Sequence, residues 1–228
     1  MNEWSQLTSD EVDALDRRLP VIIPLGLIEA HGPHLATSVD MDTAAYFARR
    51  IAGNTGAILL PLLPYGFADE MAEYTGTLGL TADTMAAVIA DLSRHLCGHG
   101  FRRQIFLSGH GANKLPVEMA FHRIWKDYPD LQAVYWNYWS EAGYNSISHA
   151  DKGETEIAMA VGTRSCMELV KDFKVTKPWY RLRSRHALNP TSGGINGEPT
   201  KADPSVGERV RDDIVHILTQ KVNAIIRE

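Results

Sequence analysis

Apolar and polar positions along the chain follow two periods in alternation. Short apolar runs bounded by Pro or Gly recur at residues 19–26 (LPVIIPLG), 57–66 (AILLPLLPYG), 101–109 (FRRQIFLSG) and 131–139 (LQAVYWNYW). The first two, with no charged residue, predict buried strands, and the other two predict strands as well. Between them, apolar residues recur at helical spacing. They predict helices over residues 41–53, 81–100, 113–129 and the first part of 153–170. The first of these ends at Gly53, and Thr81 is placed to cap the second. Residues 8–18 predict an opening helix in which Thr8 and Glu11 have capping-box spacing. An amphipathic helix over 205–226 closes the chain. Residues 67–80 show no clear period, and the Pro/Gly-rich stretch 178–204 reads as loop.

Strands alternating with helices of crossover length predict a mostly parallel sheet with helices on both faces. Ligands in such folds sit outside the carboxyl ends of the strands. That rule sorts the polar clusters. IEAHGPH, LPYGFADE, SGHGAN and YWSEAGYNSISHADKGE all follow predicted strands directly. Four separated loops are therefore expected to meet at one edge of the sheet.

Composition narrows the function classes. At 228 residues the chain suits one large domain or at most two small ones. With 44% hydrophobic and 22% charged residues it has the make-up of a soluble globular protein. The net charge of -5 advertises no basic face, so binding to nucleic acid or to an anionic membrane is not expected. No apolar run approaches the roughly 18–20 residues that span a bilayer. The polar, acidic amino end is unlike a secretory signal. Cys97 and Cys166 lie far apart and in no CxxC arrangement. A reducing, cytoplasmic setting is the simplest expectation.

The chemistry concentrates in the strand-end loops. Glu29 and His31 are two residues apart, so extended chain puts both side chains on one side. Asp40 begins the next helix, where free backbone N–H groups favour a carboxylate, and Asp42 competes for that role. His110 lies between two glycines, which permit close backbone approach. His149 and Glu154 follow the fourth strand. Three carboxylates with two imidazoles suffice for a two-metal site, and mixed N/O donors suit Zn²⁺, Mn²⁺ or Fe²⁺. Two such ions can generate hydroxide near neutral pH and polarise a carbonyl. A further His or carboxylate would move the proton to the leaving group. His34 reads as a loop-orienting hydrogen-bond partner. The Arg-rich run at 181–186 reads as solvated or subunit-facing. GGING, residues 193–197, lacks a P-loop lysine and reads as a lid or turn.

Five motifs, in this order, resemble those of the creatininase (creatinine amidohydrolase) family. They are PLGLIEAHGPHLATSVD at 24–40, PLLPYGFADEMAEYTGT at 61–77, SGHGAN at 108–113, HADKGET at 149–155 and GINGEPTKADPSVG at 194–207. The first and fourth are the specific ones. The resemblance implies a three-layer α/β/α sandwich with a mostly parallel sheet, forming a single domain over residues 1–228. It further implies two divalent metal ions (Zn, Mn or Fe), a small-molecule substrate and a homo-oligomer, often a hexamer. By the same likeness Glu29 and His110 would hold one metal and His31 the other, with Asp40 bridging. The family's glutamate two residues after the histidine is Ala112 here, so Glu154 is the expected replacement on the second metal. His149 is the expected proton carrier.

The resemblance leaves the substrate open. The second motif has Met71 for the family's His, with Tyr74 and Thr75 also altered, and the first has Ala30 and Ala36. Glu70, Tyr74 and Trp139 are the expected substrate contacts, while Trp136 and Trp139 read equally as core. The expected activity is hydrolysis of a small cyclic amide, formamide or related carbonyl compound. The alternatives are ring-opening C–C hydrolysis of a keto-inositol, or a non-catalytic binder on this scaffold.

Overall fold

A computed structural model describes residues 1–68, 71–173 and 193–228. Among them, five parallel strands form one sheet in the order β1-β3-β2-β4-β5. They are β1 (Asn2–Glu3), β2 (Val21–Leu25), β3 (Ile58–Leu59), β4 (Arg103–Ser108) and β5 (Gln132–Asn137). The helices are α1 (Ser9–Asp13), α2 (Val39–Thr55), α3 (Ala82–Gly98), α4 (Lys114–Ile124), α5 (Tyr138–Glu141), α6 (Lys152–Val161) and α7 (Pro204–Arg227). Short 3₁₀ turns link some of them.

Strand alternation divides the core into two layers. Val21, Ile23 and Leu25 pack with Phe106 against Met85 and Ile89 of α3 and Val117 of α4. Ile22, Ile105 and Leu107 face the other way, onto Phe47 and Ile51 of α2, Ile157 of α6 and Ile214 and Leu218 of α7. The register pairs Ile22 with Ile105 and Ile23 with Phe106, so like faces meet across neighbouring strands. The result is the expected α/β/α sandwich.

Several predicted boundaries move, each for a local reason. Residues 57–66 form a ladder only at Ile58–Leu59, because Pro61 and Pro64 lack the N–H that would extend it. Leu63 returns to bridge Leu25. Pro24 is tolerated inside the central strand because its backbone faces this side. There the β3 ladder has ended, and the Pro24 carbonyl accepts from Leu63 N–H at 3.0 Å. The strand predicted to reach Trp139 ends at Asn137, and Trp139 sits in α5. α2 starts two residues earlier than predicted and ends at Gly56, whose φ of 76° closes it as a left-handed cap. The opening helix is shorter than predicted, though its Thr8–Glu11 capping box forms. β1 was invisible in the sequence, because two polar residues carry no period.

The strand order positions the site. From β2 the chain crosses by α2 to β3 on one side, then by α3 to β4 on the other. The direction reverses between the carboxyl ends of β2 and β4, where α/β sheets open a crevice. Asn113 holds this edge together and is fully buried. Its Nδ2 donates to the Gly26 carbonyl (3.2 Å) and Ser108 Oγ (3.1 Å), and its Oδ1 accepts from Phe67 N–H (2.8 Å). These partners come from the ends of β2 and β4 and the loop after β3. Replacing Asn113 by Ala is expected to cost about 2–4 kcal/mol, since it strands several polar groups at once. Urea unfolding would read that loss, and an unchanged midpoint would remove this role.

Candidate metal centre

Glu29 and His31 lie in the loop after β2, at 0% exposure. Glu29 N–H donates to the Thr37 carbonyl (2.9 Å), and the His31 Nδ1 lies 3.1 Å from the Glu29 carbonyl oxygen. That bond engages one ring nitrogen and leaves His31 Nε2 facing the site. Asp40 enters from the first turn of α2, which rests directly on the strand ends. A Cβ on Gly109 would lie 2.0 Å from the Asp40 carbonyl oxygen, and one on Gly26 would lie 2.9 Å from Met41 Cα. Only glycines after β2 and β4 allow the helix to come this close.

His110 follows β4, and its main chain is clamped. Its N–H donates to Ser108 Oγ (3.0 Å), while its carbonyl accepts from Ser108 Oγ (2.7 Å) and Tyr135 Oη (2.9 Å). Glu154 stands in the first turn of α6, where Asp151 caps the helix by accepting from the Glu154 N–H at 2.9 Å. Glu154 Oε2 accepts a short hydrogen bond from Ala150 N–H. Ala150 has a φ of 47°, the left-handed region an L-residue enters at a cost of about 1–2 kcal/mol. That strain turns its N–H into the Glu154 carboxylate. No sequence signal marked it, because alanine carries no hint of a positive φ.

The side chains converge. His110 Nδ1 lies 3.0 Å from Glu29 Oε2 and 3.3 Å from Asp40 Oδ2. His31 Nε2 lies 3.4 Å from Asp40 Oδ1 and 3.5 Å from Glu154 Oε2. Asp40 thus offers one oxygen to each imidazole. His149 Nδ1 is 3.8 Å from Glu29 Oε2, and its ring centroid is 4.3 Å from that of His31. Among the described residues, three groups of donor atoms are close enough to hold a cation: Glu29–Asp40–His110, His31–Asp40–Glu154 and Glu29–His31–His149. Asp42 stays outside, since its Oδ2 accepts from Ser38 Oγ (2.7 Å) and Thr163 Oγ1 (2.9 Å).

The electrostatics of the cluster demand positive charge. Glu29, Asp40 and Glu154 are carboxylates at 4% exposure or less. Burial opposes charge on His31, yet Glu154 and Asp40 outweigh it and hold the ring well above its ordinary pKa. Burial opposes charge on His110 too, and Glu29 and Asp40 hold it high likewise. Burial would raise Asp40, but His31 and His110 keep its carboxyl far below the usual range. His34 behaves oppositely. Burial and the neighbouring His31 lower it to about 4, and its Nε2 lies 3.1 Å from Thr155 Oγ1. It tethers the loop to α6.

Both carboxylate oxygens of Glu29, His31 Nε2 and Asp40 Oδ2 are buried without a hydrogen-bond partner among the described residues. Buried polar atoms are rarely left so. All belong to the donor groups above, and a mixed imidazole–carboxylate set fits Zn²⁺ or Mn²⁺. Glu29, Asp40, His110, His149 and Glu154 border a cavity of about 210 Å³. Ala112, Met71 and Trp139 line it, with Ala68 and Ile147 completing an apolar wall. Trp136 belongs instead to the core facing α2 and α7. Tyr74 lines a separate cavity beside Ala30 and Asp172. Glu70 and the 181–186 run lie outside the described residues.

Fold and site define a class: a parallel α/β sandwich with a candidate imidazole–carboxylate cation site at its switch point. The chain belongs to the creatininase family, whose model, described as creatinine amidohydrolase, matches residues 5–222. It is 27% identical to a creatinine amidohydrolase of Pseudomonas putida over 129 residues, 52% of this chain and 50% of that protein. The aligned part thus spans half the length of that relative. It is 25% identical to a mycofactocin precursor peptide peptidase of Mycobacterium ulcerans, over 86% of this chain and 81% of that one. Two solved structures share the fold. A creatininase mutant described as Zn–Zn type has a TM-score of 0.86 at 21% identity, with 97% of each chain covered. A structure titled "Creatininase Mn" has a TM-score of 0.86 at 22% identity, with 98% of each covered.

Proposed function

We propose that this chain is a binuclear metal-dependent hydrolase that cleaves a C–N bond in a small, uncharged carbonyl compound. One observation carries the reading: the Asp40 carboxylate is shared by two donor triads, Glu29–Asp40–His110 and His31–Asp40–Glu154. Glu29 and His110 would hold one Zn²⁺ or Mn²⁺, and His31 and Glu154 the other. Solved relatives of zinc and manganese type support the choice of metals. Bound there, two such ions would lower the pKa of water and polarise a carbonyl.

The chain's own residues supply the rest. His149 Nε2 is engaged by the Ala30 carbonyl at 2.9 Å, so Nδ1 is the nitrogen turned toward Glu29 and the cavity. It takes a proton on the Glu29 side and returns it to the leaving nitrogen. Trp139, Met71 and Ile147 exclude water on the opposite wall. Among the described residues no Lys or Arg lines this cavity, which suits a neutral substrate rather than a carboxylate or phosphate. Its volume limits the part of the substrate held there to a small ring or amide group.

Metal analysis of the purified protein tests the ligand assignment. A stoichiometry near two is expected, and a value near one would make Ala112 a true loss. His149→Ala is expected to keep both metals while turnover of the best small amide in a substrate panel falls roughly 10²- to 10⁴-fold. Full turnover in that variant would remove His149 from the mechanism.

A further inference from the structure

Residues 193–197 touch two loops of the site, those carrying Ala30 and His149. Asn196 N–H donates to the His149 carbonyl (2.9 Å), and Asn196 Nδ2 donates to Ser148 Oγ (3.0 Å). The strap is pinned beyond this point by paired backbone bonds between Gly197 and Phe173. On its other side it presses on the first loop. A Cβ on Gly194, whose φ is 84°, would lie 2.7 Å from the Ala30 carbonyl oxygen. Ile195, 2% exposed, reaches to 2.7 Å from where a Cβ on Gly32 would stand.

The two loops so joined are the two ends of one hydrogen bond. His149 Nε2 meets the Ala30 carbonyl at 2.9 Å. The strap holds the backbone of His149 at one end and packs against the acceptor at the other. We propose that Asn196 is a positioning residue that fixes the His149 imidazole, with Nε2–H on Ala30 and Nδ1 turned to Glu29, by bonding Ser148 and His149. The inference rests on His149 as the proton carrier, and it makes the GGING turn part of the site. Ser148 transmits the restraint, since its own N–H is held by Asp151 Oδ2 at 3.0 Å. Asp151 in turn caps the helix that carries Glu154.

The test uses the full-length, zinc-loaded chain labelled with ¹⁵N-histidine. Asn196→Ala and Ser148→Ala remove the same bond from opposite ends. Each is expected to speed exchange of the His149 Nε2–H with water by roughly three- to tenfold, the weight of one hydrogen bond. The double variant should exchange no faster than either single. Zinc stoichiometry should match the wild type in all three. Unchanged exchange in Asn196→Ala overturns the proposal. So does an additive double variant, or zinc lost together with the faster exchange, since either reveals a general structural role. A His149→Ala protein with full turnover would sink the proton-carrier reading alone and leave the exchange result intact, so the two failures are distinguishable.

Discussion

Asp40→Asn is expected to strip the site of its metal and its activity together. The substitution keeps the side chain's shape and removes only the charge that faces both imidazoles, at 3.4 Å for His31 and 3.3 Å for His110. If the carboxylate bridges two ions, neither triad stays complete. Bound zinc should fall from near two per chain to below one. Turnover should fall by at least about 10³-fold, the equivalent of losing several kcal/mol of charge stabilisation in the transition state. Thermal unfolding gives a second readout. Zinc should stabilise the wild type through linkage by about 4 kcal/mol at a thousandfold excess over Kd and so raise its midpoint, and the variant should respond little. Asp42→Asn is the control, since Asp42 is occupied by Ser38 and Thr163. Two metals and normal turnover in Asp40→Asn would refute the bridging role.

Gly109→Ala is expected to do comparable damage without touching a donor atom. Its new Cβ would stand 2.0 Å from the Asp40 carbonyl oxygen and 2.8 Å from the Asp40 carbonyl carbon. Backbone cannot swing aside as a side-chain tip can, so the first turn of α2 must move off the β4 end. A buried clash of this kind costs about 3 kcal/mol. For a chain of this size that lowers the unfolding midpoint by roughly 6–12 °C. The displaced turn carries Asp40 with it, so zinc stoichiometry should drop as well. Gly53→Ala is the contrast, because a Cβ there meets nothing within 4 Å. A Gly109→Ala protein of native stability and full metal content would show that the helix seat tolerates movement.

These expectations divide along a line that runs through the whole molecule. The α/β class was legible because buried strands and amphipathic helices have different periods, and Val21–Leu25 and Pro204–Arg227 display them plainly. The neighbourhood of Glu29, His31, His110 and Glu154 was legible too, because each follows a strand and the strand-end rule sends such loops to one edge. Boundaries governed by missing donors were misread. Residues 57–66 looked like one long strand, yet Pro61 and Pro64 leave a ladder of two residues. Trp139 looked like strand and proved to be a helical residue that lines the cavity.

By itself the sequence determined the alternation of buried strands and amphipathic helices, since hydrophobic period and turn chemistry are properties of neighbours along the chain. It also determined which residue types could bind a cation. The tertiary structure separates Asp40 from Asp42, which share one helical turn: Asp40 faces two imidazoles, and Asp42 faces Ser38 and Thr163. It alone revealed the left-handed Ala150 behind Glu154, the glycine seat under α2, and the hold of Asn196 on the His149 loop. Each depends on a contact across the fold, Gly109 with Asp40 or Asn196 with Ser148. No local pattern encodes the distance between segments that meet only when the sheet closes.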